Sequence, residues 1–404
     1  MALYRYRAHD NRSNKVVRST IQADSESAAA KLLMAQKVIP LKIELVDEST
    51  SSFISKITNH VSNKELVIMT RQFATMMNAG LSLTQTLSAV TDQTTGRALK
   101  NIMSDVQSRV NNGTPFSDSL ARYPKVFSKF YISIVRAGET SGKLDTSLQR
   151  LADQLEHDAD MMSKVKGAMV YPTIVLAVII AVVVFMLVTL VPQVKQLYDD
   201  MHKVLPLQTQ ILQAIADFMV KFWYVILIVI GVLAVLFIQW RNTAGGRRSL
   251  DLIKLNMPMF KTLIRKLYMA RFARTMETLV QAGVSILESL QISADSANNT
   301  LVRDDILSAM GPVKNGKPMS DSLSGRKYIL PFLPRMIKIG EASGNIDTML
   351  GKVADYYNKE VDNAIKSIST LIEPMLMVIM AILIGFIVIS VLLPIYQLST
   401  SLQR

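Results

Sequence analysis

The chain contains one stretch of sequence twice, Asn112-Gly113-Thr114-Pro115-Phe116-Ser117-Asp118-Ser119-Leu120 and Asn315-Gly316-Lys317-Pro318-Met319-Ser320-Asp321-Ser322-Leu323. A second motif, Gly138-Glu139-Thr140-Ser141-Gly142, returns as Gly340-Glu341-Ala342-Ser343-Gly344. The match continues into apolar sequence, where Pro172 corresponds to Pro374 and Pro192 corresponds to Pro394. The duplicated unit is therefore a helical module together with the membrane span that follows it.

Charged and apolar residues are segregated along the chain. Half of the residues are hydrophobic, although the chain also carries 45 Lys and Arg and 32 Asp and Glu. Uncharged stretches occupy residues 167–194, 222–240 and 374–403. Each is close to or longer than the ~20 residues that an α-helix needs to cross the hydrocarbon core of a bilayer. The sequence therefore predicts three transmembrane helices, at residues 169–194, 222–240 and 373–397.

The distribution of cations predicts the orientation in the membrane. All but four of the 45 Lys and Arg lie in residues 1–166 and 241–373. Basic segments stay on the cytoplasmic side, so the N-terminus is predicted to be inside and the tail, residues 398–404, outside. The formal net charge of +13 has the same explanation, because an anionic leaflet attracts basic segments. Nucleic-acid binding is the alternative, but no basic stripe with interleaved aromatic residues accompanies the charge.

The sequence argues against several kinds of chemistry. It has no cysteine, which excludes thiolate catalysis and iron–sulfur ligation. The stretch Gly245-Gly246-Arg247-Arg248-Ser249 lacks the spacing of a phosphate-binding loop. The four histidines lie far apart and match no hydrolase or zinc motif. We therefore predict no catalytic residue, no metal and no cofactor.

The first part of the chain is predicted to be a small α/β module, residues 1–48. Alternating residues predict strands at 3–8, 16–23 and 39–46, and a helix through Lys37 precedes the last of them. The resulting order is β-β-α-β. Residues 49–62 are small and polar and are predicted to be a linker.

Two further segments, residues 63–168 and 266–372, are predicted to be helical domains. Their apolar residues recur at helical spacing, and glycines at corresponding places separate the helices. These turn glycines are Gly80, Gly113, Gly138, Gly142, Gly283, Gly316, Gly340 and Gly344. The predicted fold class is an all-α membrane protein with two homologous cytoplasmic helical-bundle domains and three transmembrane helices, plus the small N-terminal α/β module. Residues 195–221 are predicted to be a short extracytoplasmic loop and residues 241–265 a cytoplasmic connector.

The last helix of each domain is predicted to continue into a membrane span. An apolar stripe in the first domain consists of Leu144, Leu148, Leu151, Leu155 and Ala159, with Gln149, Asp153 and Glu156 facing away. The second domain repeats this spacing with Ile346, Leu350, Val353, Tyr357 and Val361. Pro172 and Pro374 lie where each helix enters the bilayer, and a kink is predicted there. Motion of each domain would reach the membrane along one nearly continuous helix.

The Gly-Glu-x-Ser-Gly turn has two interpretations. In the first, the acid lies in the first turn of the next helix, where the helix dipole favours it. In the second, four acids form equivalent surfaces that bind a partner or another copy of the chain: Glu139 and Asp145 in the first domain, and Glu341 and Asp347 in the second. Carboxylates also ligate hard cations, but one Glu and one Asp in each copy are too few to predict a metal site.

Together these motifs resemble the PilC/GspF family, the cytoplasmic-membrane platform proteins of type IV pilus and type II secretion machines. The resemblance covers the whole chain. Besides the doubled domain and its turns, it rests on the span boundaries Tyr171-Pro172, Glu373-Pro374, Val191-Pro192-Gln193 and Leu393-Pro394-Ile395. The stretch Tyr356-Tyr357-Asn358-Lys359-Glu360-Val361-Asp362 before the third span is more similar to the pilus branch. A type II secretion platform is the alternative.

The resemblance implies a non-enzymatic function in the inner membrane. Platform proteins of this family contact a cytoplasmic hexameric ATPase through their helical domains and pass its motion to pilin or pseudopilin subunits. The resemblance also implies contacts with other inner-membrane proteins of the machine, with lipids and with further copies of the chain.

Three other classes of membrane protein fit the sequence less well. A transporter would place charged groups inside its spans, and in this sequence only Glu373, the first residue of the third span, is charged. A receptor would need a larger external segment than residues 195–221. A membrane enzyme would need acids or histidines clustered at the bilayer surface, and the sequence has no such cluster.

Overall fold

The computed structural model describes residues 2–10, 15–23, 26–35, 38–45, 61–200, 206–258 and 260–402. The chain forms two compact units, residues 1–66 with 89–105 and residues 67–88 with 106–404. Most of the predicted linker, residues 49–62, lies outside the described residues, which include only residues 61 and 62 of it.

The first described elements are three strands and a helix. They are β1 (Ala2–Asp10), β2 (Lys15–Ala23), α1 (Glu26–Ala35) and β3 (Val38–Leu45). The strands pair antiparallel in the order β2-β1-β3. The register of β1 with β3 shifts between Arg7 and Ala8, opposite Pro40, because proline has no N–H to donate to the ladder. The elements follow the β-β-α-β order that the sequence predicts, and Lys37 lies outside the described residues.

The first repeat contains six helices. They are α2 (Asn63–Asn78), α3 (Leu83–Gln93), α4 (Arg97–Asn111), α5 (Phe116–Ala121), α6 (Lys129–Ser141) and α7 (Leu144–Asp200). A capping box starts α2: the N–H of Glu65 donates to Ser62 Oγ, and the N–H of Ser62 donates to the Glu65 carboxylate, both at 3.1 Å. After α2, Gly80 has a φ of 88°, and the N–H of Leu81 donates to the carbonyl of Met76 at 3.2 Å.

The described residues between the two repeats form three helices: α8 (Leu207–Lys221), α9 (Trp223–Asn242) and α10 (Ala244–Asn256). The prediction of a loop at residues 195–221 is wrong as to its structure, because α7 continues to Asp200 and α8 occupies most of the remainder. The physical reason is a small apolar cluster between α7 and α8, formed by Leu187, Val191, Leu212 and Ala216.

The second repeat contains six helices that correspond to those of the first. They are α11 (Lys261–Gln281), α12 (Ile286–Ser296), α13 (Thr300–Lys314), α14 (Met319–Leu323), α15 (Phe332–Ser343) and α16 (Ile346–Leu402). The predicted apolar stripe of α16 is confirmed as a core face, since Leu350, Val353 and Tyr357 are buried in the main core of this repeat. In α7, Leu148 and Leu151 of the predicted stripe are buried, whereas Ala159 at its end is exposed.

Three helices are long and apolar enough to cross a membrane: α7, α9 and α16. They include the three stretches that the sequence predicts as spans, except Phe222, which lies just before α9. None of the side chains of α9 is buried by the other described residues. The backbone remains helical on both sides of Pro172 and Pro374, so the last helix of each helical domain and the apolar span after it form one 57-residue helix. The kink predicted at these prolines stays a prediction.

Candidate partner-binding site

Glu139, one of the four predicted partner-binding acids, holds together the two repeated motifs of its domain. It lies in the last turn of α6, and its carboxylate reaches the N-terminus of α5. The N–H of Phe116 donates to Glu139 Oε1 at 2.6 Å. The N–H and the hydroxyl of Ser117 donate to Oε2 at 3.1 and 2.7 Å. Because Ser117 is buried, this carboxylate is the acceptor that its hydroxyl needs inside the domain.

The sequence around α5 explains why this helix uses a distant acid. The first N–H groups of a helix have no partner within the helix, and a Ser, Thr, Asp or Asn side chain just before it usually accepts from them. The residue before α5 is Pro115, whose side chain has no acceptor. The Glu139 carboxylate takes this role, and the partial positive charge at the helix N-terminus favours it.

The second repeat has the same arrangement. The N–H of Met319 donates to Glu341 at 2.6 Å, and the hydroxyl of Ser320 donates at 2.5 Å, again at a helix that follows a proline, Pro318. The first interpretation of the Gly-Glu-x-Ser-Gly turn is therefore corrected. The acid accepts hydrogen bonds at the N-terminus of α5 or α14, not at that of the helix that follows the turn.

Six of the eight predicted turn glycines have a positive φ: Gly80, Gly113, Gly142, Gly283, Gly316 and Gly344. The prediction of turns at Gly138 and Gly340 is wrong, because these residues lie inside α6 and α15. They are glycines for another reason. A Cβ on Gly138 would lie 2.6 Å from the Cβ of Ser147, and one on Gly340 would lie 2.9 Å from the Cα of Ile346. The last two helices of each domain approach so closely that no side chain fits between them.

Asp145 and Asp347, the other two predicted partner-binding acids, lie in the first turns of α7 and α16. Both residues are half-buried. An acid in the first turn is favoured by the helix dipole, so their position also has a purely structural explanation. Among the described residues, no three His, Cys, Asp or Glu side chains are grouped to hold a metal ion. The partner-binding role of the four acids stays a prediction.

An arginine joins the first and last helices of the first domain, a contact that the sequence analysis missed. Arg71 of α2 donates to Glu156 from Nε at 2.6 Å and to Asp153 from Nη2 at 2.5 Å. The hydrogen bond from Arg71 lowers the pKa of Glu156 below its ordinary value. The contact therefore stabilises the folded domain at pH values above the ordinary carboxyl pKa. This stabilisation is lost as the pH falls through the lowered pKa of Glu156. Asp153 and Glu156 lie away from the apolar stripe, as predicted, and Arg71 pairs with both at the partly exposed side of α7.

The second domain repeats this contact. Arg274 of α11 donates to Asp355 of α16 and, at 2.8 Å, to Glu277. Arg274 corresponds to Arg71 in the alignment of the two copies, and Asp355 corresponds to Asp153. A comparison of charged residues at the repeat offset therefore shows from the sequence alone that both residues recur, whereas their contact appears only in the structure.

The second acid of this contact lies on a different helix in each domain. Asn358 stands where the first copy has Glu156, and Glu277 of α11 supplies the carboxylate instead. A Cβ on Gly351 would lie 2.5 Å from Glu277 Oε1, so this glycine leaves room for the acid. Burial raises the pKa of Glu277, and the neighbouring Arg274 opposes that change.

The two helical domains also contact each other through polar groups. The contacts are Lys129 with Asp295 at 3.1 Å, Arg150 with the carbonyl of Gln281 at 2.6 Å, and Lys164 with Asp362 at 3.0 Å. All three lie at least partly in solvent. The two ion pairs contribute no more than about 1 kcal/mol each there. These contacts are therefore weak enough to break and re-form if the domains move.

Comparison with known proteins assigns this architecture to a family. The family model described as type II secretion system (T2SS), protein F matches residues 69–192 and 272–394, one match for each repeat. A second model, the N-terminal domain of type II secretion system protein F, matches residues 1–44. The chain belongs to the type II secretion system protein F family. Each repeated match ends at Pro192 or Pro394, so the family unit includes the helical domain and its apolar helix, as predicted from the repeat.

Relatives of the chain in this family have names from two kinds of machine. The type IV pilus assembly protein PilC of Thermus thermophilus is 36% identical over 406 residues, which cover all of both chains. PilC of Myxococcus xanthus is 36% identical over 343 residues, 85% of this chain and 82% of that protein. The type II secretion system protein F of Xanthomonas campestris pv. campestris is 34% identical over 405 residues, again all of both chains. Identities this similar do not separate pilus from secretion members.

Proposed function

We propose that this protein is the inner-membrane platform of a type IV pilus assembly machine. Its two helical domains would receive the motion of a cytoplasmic assembly or retraction ATPase and pass it to pilin subunits that enter or leave the fibre. The observation that carries this proposal is the single 57-residue helix, α7 or α16, that joins each helical domain to an apolar span. Arg71 and Arg274 bind these helices to the first helix of their domains, so a force on the domain would act on the span directly.

The alternative function is the platform of a type II secretion system, in which pseudopilins replace pilins. The stretch from Tyr356 to Asp362, which resembles the pilus branch, favours the pilus machine. Both functions require the same parts: a site for the ATPase, a site for pilin-like subunits and contacts with other inner-membrane proteins of the machine.

The four predicted acids do not support partner binding equally. The carboxylates of Glu139 and Glu341 accept hydrogen bonds within their own domains. The proposal that acids contact a partner therefore rests mainly on Asp145 and Asp347. We also propose that the protein is a homo-oligomer, because the two similar domains of each chain suit a closed symmetric assembly.

Deletion of the gene tests which machine the protein serves. We expect the deletion strain to lose surface pili while it still secretes its extracellular proteins, because pilin assembly would lack its platform. Sheared pilin and the proteins of the culture medium would be measured in the same cells, and a plasmid carrying the intact gene is the control. Lost secretion with normal pili would contradict the pilus proposal and favour the secretion platform.

The proposed orientation predicts which positions are accessible from the periplasmic side. The chain has no cysteine, so single cysteines can be introduced without interference. In spheroplasts, Asp200→Cys and Ser399→Cys should react with a membrane-impermeant maleimide, whereas Ser62→Cys and Ser324→Cys should react only after lysis. The reason is that Lys and Arg are concentrated on the segments predicted to be cytoplasmic. Reaction at position 324 before lysis would contradict the three-span orientation.

A further inference from the structure

The helix α8 is held against the membrane helices. Its residues Leu212 and Ala216 are buried in the apolar cluster with Leu187 and Val191 of α7, and α8 also contacts α16. Leu187 and Val191 belong to the uncharged stretch that ends before Lys195. The helix therefore lies beside the end of the first span, close to the membrane.

A second side of α8 is apolar and is not covered by the rest of the described chain. It is a stripe formed by Leu207, Ile211, Ile215 and Phe218, which recur at steps of four, four and three residues. The exposed fractions of these four side chains run from 45% to 69%. Each apolar Å² left in water costs about 25 cal/mol, so this apolar stripe requires an apolar neighbour.

The third side of α8 is polar. It is formed by Gln210, Gln213, Asp217 and Lys221, and Gln213 Nε2 donates to Asp217 Oδ2 at 3.3 Å. Charged residues on an open side do not suit a helix immersed in hydrocarbon. Apolar and polar sides along the full length of one helix are the pattern of helices that lie at a membrane surface.

The start of the next helix indicates what covers the apolar stripe. The second candidate span, α9, begins two residues after α8 ends. Its first residues, Trp223 and Tyr224, are 61% and 51% exposed and are of the type that collects at the boundary between lipid and water. The chain passes from α8 directly to this boundary, so α8 lies next to lipid. Lipid can therefore cover the apolar stripe without a partner protein.

We propose that α8 is a membrane-interfacial helix: acyl chains cover its apolar stripe, and its polar side faces headgroups and water. The extracytoplasmic leaflet follows from the proposed orientation, whereas the contact with lipid does not depend on it. By this contact α8 fills the space beside α7 and α16, so the connection between the first two spans is an embedded element rather than a free loop.

Single cysteines on the two sides of α8 test this proposal. Ile211→Cys and Ile215→Cys report on the apolar stripe, and Gln210→Cys and Asp217→Cys report on the polar side. The full-length protein would be placed in vesicles of phosphatidylethanolamine and phosphatidylglycerol. The vesicles would be permeabilised, so that a charged maleimide reaches both sides of the bilayer. We expect the stripe positions to react about tenfold or more slowly than the polar positions, a factor that corresponds to ~1.4 kcal/mol.

Two further variants and a second probe complete the test. Ile228→Cys in α9 sets the rate for a position in lipid, and Gln93→Cys on exposed α3 sets the rate in water. A nitroxide at positions 211 and 215 should be accessible to oxygen but not to a nickel chelate if lipid surrounds it. Fast reaction on both sides of α8 would overturn the proposal, and protection from both oxygen and nickel would overturn it in favour of a protein cover. Neither ATPase nor pilin takes part, so the outcome is independent of the proposed function.

Discussion

We expect Gly138→Val and Gly340→Val to prevent their domains from folding, and the two alanine variants to be clearly destabilised. Alanine inside a helix normally stabilises by about 0.5–1 kcal/mol relative to glycine. At Gly138, however, the new Cβ would lie 2.6 Å from the Cβ of Ser147, and at Gly340 it would lie 2.9 Å from the backbone of Ile346. Separating the two helices to admit a methyl group costs about 1–3 kcal/mol, and the branched valine needs still more space.

Thermal unfolding of the purified protein in detergent measures these effects. The matched control is Gly167→Ala in α7, where a Cβ would meet no atom within 4 Å. This control should be as stable as the parent or up to about 1 kcal/mol more stable. If Gly138→Ala unfolds at the same temperature as the control, the two helices do not approach as closely as described.

A substitution by asparagine separates close approach from turn conformation. Gly142 follows α6 with a φ of 68°, a conformation that asparagine tolerates better than most residues. Gly142→Asn should therefore be mild, whereas Gly138→Asn should be as harmful as Gly138→Ala or worse. Equal effects at the two positions would favour the original interpretation of Gly138 as a turn residue.

The helices of both repeats could be predicted from the sequence because their signals are local. Apolar residues at steps of three and four mark a helix within a few turns, and glycines between such segments mark its end. The repeat gave each signal twice. Contacts between distant helices have no such period, so the pairing of Glu139 with α5 and of Arg71 with α7 was not predicted. The only sign of these contacts in the sequence is that Glu139 and Arg71 both recur in the second copy, as Glu341 and Arg274.

The wrong predictions have physical causes in particular residues. Residues 195–221 were interpreted as a loop because charged residues such as Asp217 and Lys221 interrupt the apolar sequence, although Leu207 and Ile211 begin a helical stripe. These polar residues face one side of a helix. Such a helix has no long uncharged stretch, which is the feature that identifies a membrane span. Gly138 was interpreted as a turn because it begins a motif with glycines at both ends. Only the packing of α6 against α7 distinguishes a glycine that bends the chain from one that lets two helices meet.

Removal of the Glu139 or Glu341 carboxylate should lower the free energy of unfolding of the corresponding domain by about 2 kcal/mol. This value lies within the range of about 1.5–3 kcal/mol for hydrogen bonds to a charged group. In Glu139→Ala, the first N–H groups of α5 lose their acceptor, and the buried hydroxyl of Ser117 loses its partner. Interpretation of Glu139 as a simple helix-start acid instead predicts a loss of only about 0.3–1 kcal/mol. The two values differ enough for a thermal unfolding measurement to separate them.

Three controls accompany Glu139→Ala: removal of Asp145, a conservative change of Glu139, and removal of the Ser117 hydroxyl that donates to Glu139. Asp145→Ala removes an acid from the first turn of α7 and should cost only the smaller amount, about 0.3–1 kcal/mol. Glu139→Gln keeps one acceptor oxygen and should lie between the two. In the double variant Glu139→Ala with Ser117→Ala, the losses should be less than additive, because the first substitution already removes the bond that the second would break. Additive losses, or a Glu139→Ala variant as stable as Asp145→Ala, would show that the carboxylate does not hold the two repeated motifs together.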